Sequence, residues 1–276
     1  MSIKYAYLGP AGTFTEAALQ KISSPSDQLI AYANVTAALD AVRNGECQKA
    51  LVPIENSVEG VVARTLDELA IGLPLVITAE TTLPVSFSLM TLSNTNPAEI
   101  KSIATHPHAE SQCRSFIARN YPNAQVIESS STAAAAKGLS KGDYDAAIAG
   151  SNAAKNYDLK VVAENIGDNA GAVTRFVLVE KPGNQPKATG KDRTSLAVFI
   201  ALDHAGALLE ILNEFAKHQV NLTFIQSRPT GSQLGHYHFI IDAEGHIEDK
   251  PISAALAGLK EICEDIRFLG TYQRNV

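Results

Sequence analysis

Four short runs carry residues whose types and spacing could do chemistry. In Pro53-Ile54-Glu55-Asn56-Ser57-Val58-Glu59-Gly60, a carboxylate, an amide and a hydroxyl follow one another behind the apolar stretch Ala50 to Ile54. Such a trio can donate, accept and orient protons around a ligand, and open α/β sheets present such groups at strand ends. The plain reading is a polar turn with Ser57 capping a helix. Thr105-His106-Pro107-His108, with Gln112 and Cys113 close behind, follows the strand-like run Ser102 to Thr105 in the same way. His106 and His108 make a poor metal site, because no cluster of carboxylates or thiolates accompanies them. Cys113 beside His106 could form a nucleophile pair, but a small buried thiol on an apolar helix face is the reading the pattern favours. Thr174-Arg175-Phe176 follows a loop rich in Asn and Gly. There Arg offers a planar fork to a carboxylate and Phe offers a ring face. A surface strand with a salt-bridged Arg is the alternative. In Gly9-Pro10-Ala11-Gly12-Thr13-Phe14-Thr15-Glu16, Thr13 and Glu16 have capping-box spacing, and the N–H groups of such a helix start suit an anion. Together the runs mark a ligand cleft without naming a reaction.

The elements that must position these runs alternate between strand and helix. Strand patterns cover 3–8, 29–33, 50–54, 75–80, 85–90, 102–105, 124–128, 146–150, 161–165 and 174–180. Helical patterns cover 15–22, 35–45, 62–72, 109–120 and 132–139. That alternation predicts parallel βαβ units, and the number of strands predicts two α/β lobes with a cleft between them. Residues 182–194 hold two Pro, two Gly and no large apolar side chain, which is linker composition. The expected domains are 1–181, a linker 182–194, and 195–276.

The last part reads as βαββαβ, a ferredoxin-like order. Its strands are expected at 195–203 (Leu196, Val198, Ile200 and Leu202 alternating), 222–228, 236–242 and 267–273. A helix over 206–218 places Leu208, Leu209, Leu212, Phe215 and Ala216 on one face. A helix over 252–266 places Ala255, Leu256, Leu259, Ile262 and Cys263 together. His236 and His238 merely share a strand face.

Composition bounds the function classes. With 276 residues, 45% of them hydrophobic and 19% charged, the chain is neither disordered nor fibrous. A net charge of −6 without a basic stripe excludes a nucleic-acid binder. No run resembles a signal peptide or a membrane span. Cys47, Cys113 and Cys263 are odd in number and far apart, which fits reduced thiols in a cytoplasmic protein. The motifs GxGxxG, GxxxxGK[ST], HExxH and GxSxG are all missing. Aromatics are 6% with no Trp, so the core must rely on Ala, Val, Ile and Leu.

The runs Tyr7 to Leu19, Pro53 to Leu69, His106 to Arg114 and Thr174 to Phe176, in this order, resemble prephenate dehydratase. Ala205 to Pro229 resembles the ACT regulatory domain of the same enzymes, so the likeness covers essentially the whole chain. With no mutase-like run before it, the chain is expected to be the monofunctional form. The family usually has Gln at His108, Asn at Ala172, Pro at Ala205 and Glu at Gln226.

The resemblance implies a two-lobed, periplasmic-binding-protein-like α/β catalytic domain of type II, followed by the ACT domain. It implies a hydro-lyase that converts prephenate to phenylpyruvate, CO2 and water, with no cofactor and no metal. Thr174 would donate a hydrogen bond to the departing hydroxyl, and Glu55, if protonated in a dry cleft, would be a proton donor. Asn56, Ser57, Thr105 and Gln112 would complete the catalytic set, while Thr13, Arg175 and Phe176 would contact substrate. L-phenylalanine would bind as feedback inhibitor near Gly206, Ala207, Leu208, Asn221, Leu222 and Ser227, in a homodimer or homotetramer built through ACT domains. No nucleic acid or membrane partner is implied. A two-lobed binding or sensor protein, and an enzyme for arogenate, are the competing readings.

Overall fold

The computed structural model describes residues 2–183, 185–200, 204–230 and 237–275. In chain order the elements are β1 (Lys4–Leu8), α1 (Phe14–Ile22), β2 (Gln28–Tyr32), α2 (Val35–Arg43), β3 (Lys49–Asn56), β4 (Gly60–Val61), α3 (Ala63–Ala70), β5 (Val76–Pro84), β6 (Ser88–Thr91), β7 (Ser102–Thr105), α4 (Pro107–Gln112), α5 (Arg114–Asn120), β8 (Gln125–Glu128), α6 (Thr132–Leu139), β9 (Ala146–Ala149), α7 (Ser151–Asn156), β10 (Lys160–Ala163) and β11 (Val173–Glu180). Then come β12 (Asp192–Ile200), α8 (Ala207–Lys217), β13 (Leu222–Pro229), β14 (Tyr237–Glu244), α9 (Lys250–Ile262) and β15 (Cys263–Gln273). The C-terminal order is βαββαβ, as the sequence predicts. The far end of the strand expected over 195–203, with Leu202, and His236 lie outside the described residues.

Three sheets form. The first has the order β2-β1-β3-β11-β5 with β4 paired to β3, the second β10-β6-β9-β7-β8, and the third β13-β14-β12-β15. The expected parallel pairing holds for β1 with β2 and for β7 with β8 and β9. It fails at β6, which runs antiparallel to both β9 and β10. The third sheet is antiparallel throughout its described pairs.

The chain divides into two compact units, 1–38 with 51–62 and 82–176, and 39–50 with 63–81 and 177–276. In the first unit Ser131 caps α6 through Ala134 N–H, and the helix buries Ala133, Ala135, Ala136 and Leu139. Ala135, Ala136 and Leu139 join Met90, Ala104, Ala147, Ala149 and Ala153 in a core cluster. This is the alanine-rich packing that a chain without Trp must use. A second cluster gathers Val85, Phe87, Leu89, Ile103, Cys113, Ile148 and Ala172. The helix expected over 109–120 is two helices, broken at Cys113 (φ −121°, ψ 13°). Asp168 explains the break: its N–H donates to the Gln112 carbonyl at 2.6 Å and its carboxylate accepts from Ser115 N–H at 3.2 Å.

In the second unit α8 and α9 pack on one face of the third sheet around Leu196, Val198, Ile211, Phe215, Ile241, Ala255 and Leu259. Two expectations need correction. The buried face of α8 is Ala207, Ile211 and Phe215, whereas Leu208 and Leu209 are 38% and 60% exposed. Helix α9 ends at Ile262, because Cys263 already pairs with Ile200 as β15 joins β12. Arg228 on β13 makes a bidentate pair with Asp67 on α3, at 2.8 and 2.7 Å. Arg193 reaches Glu80 at 2.6 Å, and Arg267 donates to the Gly72 carbonyl at 2.6 Å. Within 182–194, the Pro186 carbonyl faces His246 Nε2 at 3.0 Å. The other ring nitrogen accepts from Glu248 N–H, so Nε2 carries the proton and donates.

Candidate active site

A cavity of about 610 Å3 opens in the first unit, and every residue lining it belongs to that unit. The loop after β1 contributes Gly9, Pro10, Thr13 and Phe14, the β3–β4 turn Asn56 and Glu59, α4 with its cap His106, His108 and Gln112, and β11 Thr174 and Phe176. Ser130, Ser131 and Thr132 at the start of α6 complete one side. All four runs singled out in the sequence therefore reach one cavity.

Asn56 organises the centre. Its Oδ1 accepts from the N–H groups of Val58 and Glu59 at 2.8 and 2.9 Å, which closes the β3–β4 turn. Those two donors fix the amide, so Nδ2 is the end that points to Thr174 Oγ1, at 2.8 Å. A hydroxyl carries one proton, and Asn56 already donates to this oxygen. The Thr174 proton is therefore left to aim at a ligand in the cavity, from a residue only 8% exposed. Ser57 holds the strand in place: its N–H donates to the Val173 carbonyl and its Oγ accepts from Val173 N–H, both at 2.9 Å.

Strand alternation sorts the other candidates. Thr174 and Phe176 line the cavity, while Arg175 between them lies off the lining, 3.7 Å from Glu55. The Glu55 side chain is 39% exposed beside that cation and, like Arg175, is not among the lining residues. Thr105 is fully buried and donates to the Ile148 carbonyl at 2.8 Å, so it ties β7 to β9. Gln112 lines the cavity and donates through Nε2 to Glu59 at 2.8 Å. Thr13 lines it while capping α1, accepting from Glu16 N–H at 3.3 Å. Ala172 belongs to the apolar cluster of Val85 and Phe87.

Glu59, Phe14, Phe87 and the Ser130 to Thr132 segment also line the cavity, and sequence reasoning misses them as site residues. Glu59 has a signal, since it stands three residues after Asn56 in the same run. The Glu59 carboxylate lies 3.5 Å from His108 Nδ1. Burial and the neighbouring His108 ring hold His106 below the usual imidazole range, with Glu59 and Glu128 opposing. His106 Nδ1 accepts from His108 N–H at 3.2 Å, so the neutral ring presents its proton on Nε2. No cluster of three potential ligands for a metal ion occurs among the described residues.

Cys113 is fully buried and its thiol is pushed up to about 12 by burial and by the charge of Asp168. A nucleophile pair with His106 is therefore untenable at neutral pH. In the native protein at pH 8, Cys113 is expected to resist alkylation by iodoacetamide and to react only after denaturation. Rapid native labelling, read by mass spectrometry, would contradict its burial.

A second cavity, of about 550 Å3, lies in the second unit, lined by Gly206, Ala207, Leu208, Leu209, Ser227, Tyr237 and others. Leu222 begins β13 with Asn221 just before it, and neither is among its lining residues.

The prephenate dehydratase family model matches residues 5–184, and the ACT domain model matches 194–261. A prephenate dehydratase of Amycolatopsis methanolica is 45% identical over 272 residues, which is 98% of this chain and 88% of that protein. The chain belongs to the prephenate dehydratase family. A crystal structure of the Arthrobacter aurescens prephenate dehydratase in complex with L-Phe is 48% identical. It superposes with a TM-score of 0.92, covering 99% of this chain and 90% of that one. GqqA, a quorum quenching acylase, shares the fold with a TM-score of 0.87 at 26% identity, over 99% of this chain and 98% of that one. The fold thus hosts more than one chemistry, and the residues of the cavity must decide between them. As a prephenate dehydratase the chain is a hydro-lyase, and among its described residues no helix is long and apolar enough to cross a membrane.

Proposed function

We propose that prephenate binds in the cavity of the first unit and leaves it as phenylpyruvate, CO2 and water. The observation that carries this is the Asn56–Thr174 pair, which leaves the Thr174 proton for a leaving oxygen. As the C–CO2 bond breaks, its electron pair rearomatises the ring and expels the hydroxyl as hydroxide, which takes one proton from solvent to become water. The ring supplies the driving force, so the protein has to orient the substrate and stabilise charge on that oxygen. Thr174 assists by hydrogen bonding, and Asn56 and Ser57 position it. Phe176 packs near the ring, and Gln112 and Thr13 bound the site. Glu55, Arg175 and Thr105 act on the strands beneath it rather than on the ligand.

Among the described lining residues there is neither Lys nor Arg. A dianion is therefore held by N–H groups at the starts of α1 and α6 and by hydroxyls, not by an ion pair. Incubation with prephenate, followed by phenylpyruvate absorbance, tests the reading, and parallel specificity constants for arogenate settle the substrate.

Residues 1–181 form the catalytic region and 195–276 the regulatory domain, and of the expected linker 182–194 the last three residues, Asp192 to Thr194, already belong to β12. L-phenylalanine is the effector, bound where Gly206, Ala207, Leu208 and Ser227 line the second cavity. The L-Phe complex of the Arthrobacter relative supports this. Exposed Leu208, Leu209, Ile225 and Tyr237 suit association of subunits through this domain in a cytoplasmic homodimer or homotetramer. Gly206 has φ +100°, so Gly206→Ala strains the cap of α8 by ~1–2 kcal/mol. It is expected to weaken L-Phe about tenfold with turnover in its absence unchanged. With no Trp in the chain, calorimetry is the assay, and unaltered affinity would move the effector elsewhere.

A further inference from the structure

We propose that Glu16, Asn152, Asn156 and Tyr157 are positioning residues for the dehydratase reaction. They clasp the Gly9 to Thr13 loop and so fix one wall of the cavity that Thr174 also lines. The proposal rests on reading that cavity as the prephenate site. None of the four lines the cavity.

The loop follows β1 of the first sheet, and α7 with Tyr157 follows β9 of the second. Three donors from this short segment each meet a different acceptor. Asn152 Nδ2 donates to the Thr13 carbonyl at 3.0 Å, Asn156 Nδ2 to Glu16 Oε2 at 2.8 Å, and Tyr157 OH to the Ala11 carbonyl at 2.7 Å.

Glu16 is the hub. The capping-box spacing predicts that its carboxylate returns to the N-cap amide. Instead Oε2 accepts from Gly12 N–H at 2.6 Å, and Oε1 accepts from Tyr7 OH at 3.1 Å. Only 9% of the residue is exposed, and a buried carboxylate is costly without such donors. Its place in the first turn of α1 adds a favourable dipole. Burial and this carboxylate together push the Tyr7 phenol well above its usual range, so Tyr7 stays a donor.

Packing agrees with the bonding. Gly12 has φ +88°, and an added Cβ would stand 3.2 Å from Ala153 Cα and from the Tyr157 ring. The loop therefore lies directly against α7. Phe14, which lines the cavity, meets Phe87 edge-on at 5.7 Å, and a Cβ on Gly150 would come within 2.9 Å of its ring. Moving α7 would move Thr13 and Phe14 with it, and a reacting geometry is sensitive to shifts of about 1 Å.

The test uses Tyr157→Phe alone and Asn152→Ala/Asn156→Ala/Tyr157→Phe together in the full chain. The readouts are circular dichroism, steady-state kinetics with prephenate, and amide exchange at Gly12. The expected result is retained secondary structure, faster Gly12 exchange and a raised KM. kcat/KM should fall about tenfold for the single variant and ~10²-fold for the triple. Folded variants with kcat/KM within twofold of wild type overturn the proposal, as does a lowered melting temperature with unchanged KM, the mark of a merely structural role. Should the triple variant not fold, Tyr157→Phe, which removes one oxygen, decides. A wild-type protein that makes no phenylpyruvate removes the reaction from the site, while Gly12 exchange still reads the clasp on its own.

Discussion

Thr174→Ala is expected to lower kcat by ~10²–10³-fold, the usual cost of losing one preorganised donor to a developing oxyanion, with circular dichroism and KM little changed. The methyl group that replaces the side chain keeps the strand, which Ser57 holds through Val173. What disappears is the one proton that Asn56 leaves uncommitted. Two companion variants separate this account from a packing defect. Thr174→Ser keeps the hydroxyl and should retain most of the activity. Asn56→Asp keeps the acceptor for the Val58 and Glu59 amides but turns the donor facing Thr174 into an acceptor. The Thr174 proton is then drawn onto the introduced carboxylate and away from the cavity, so this variant should lose kcat although Thr174 is intact. An active Asn56→Asp enzyme would show that the direction of that hydrogen bond is irrelevant.

The second large effect concerns stability. Gly270→Ala is expected to cost roughly 3 kcal/mol or more, combining a backbone conformation that L residues avoid with overpacking. Gly270 has φ +144°, and an added Cβ would meet the Ile77 carbonyl oxygen at 2.1 Å and the Ile77 nitrogen at 2.8 Å. Both are backbone atoms of a strand, which cannot rotate aside as a side chain could. Arg193 on β12, the strand paired with β15, also pairs with Glu80 on β5, whose side chain is only 2% exposed, so moving this sheet away from β5 would also strain a buried ion pair. Thermal unfolding followed by circular dichroism should show a melting temperature lower by roughly 5 °C or more. A shift below about 2 °C would mean that the strands are not packed so closely.

Much of this is legible in the residues. Capping and periodicity locate α1, α6 and α8 within a residue or two, and the βαββαβ order of the C-terminal part is as read. The misreadings have physical causes. The run 109–120 is helical in pattern, and only Asp168, some fifty residues later, breaks it by donating to the Gln112 carbonyl. Cys263 continues the apolar stripe of α9, yet pairing with Ile200 draws it into a strand. Leu208 and Leu209 share the core stripe by spacing because one helix has two apolar flanks, and a single chain does not say which flank meets its own sheet. Helix α7, Ser151–Asn156, is too short and polar to show a period, so the clasp on the Gly9 to Thr13 loop leaves no trace in sequence. Alternation in β11 is available to a reader of the sequence: Thr174 and Arg175 are consecutive, and Thr174 lines the cavity while Arg175 does not. Arg175 instead lies 3.7 Å from Glu55 on the neighbouring strand β3.

The most direct test of the whole account is turnover of prephenate by the purified wild-type chain beside Thr174→Ala and Thr174→Ser. The prediction is phenylpyruvate from wild type and Thr174→Ser, and little from Thr174→Ala. No product from well-folded wild-type protein, or undiminished product from Thr174→Ala, would contradict it.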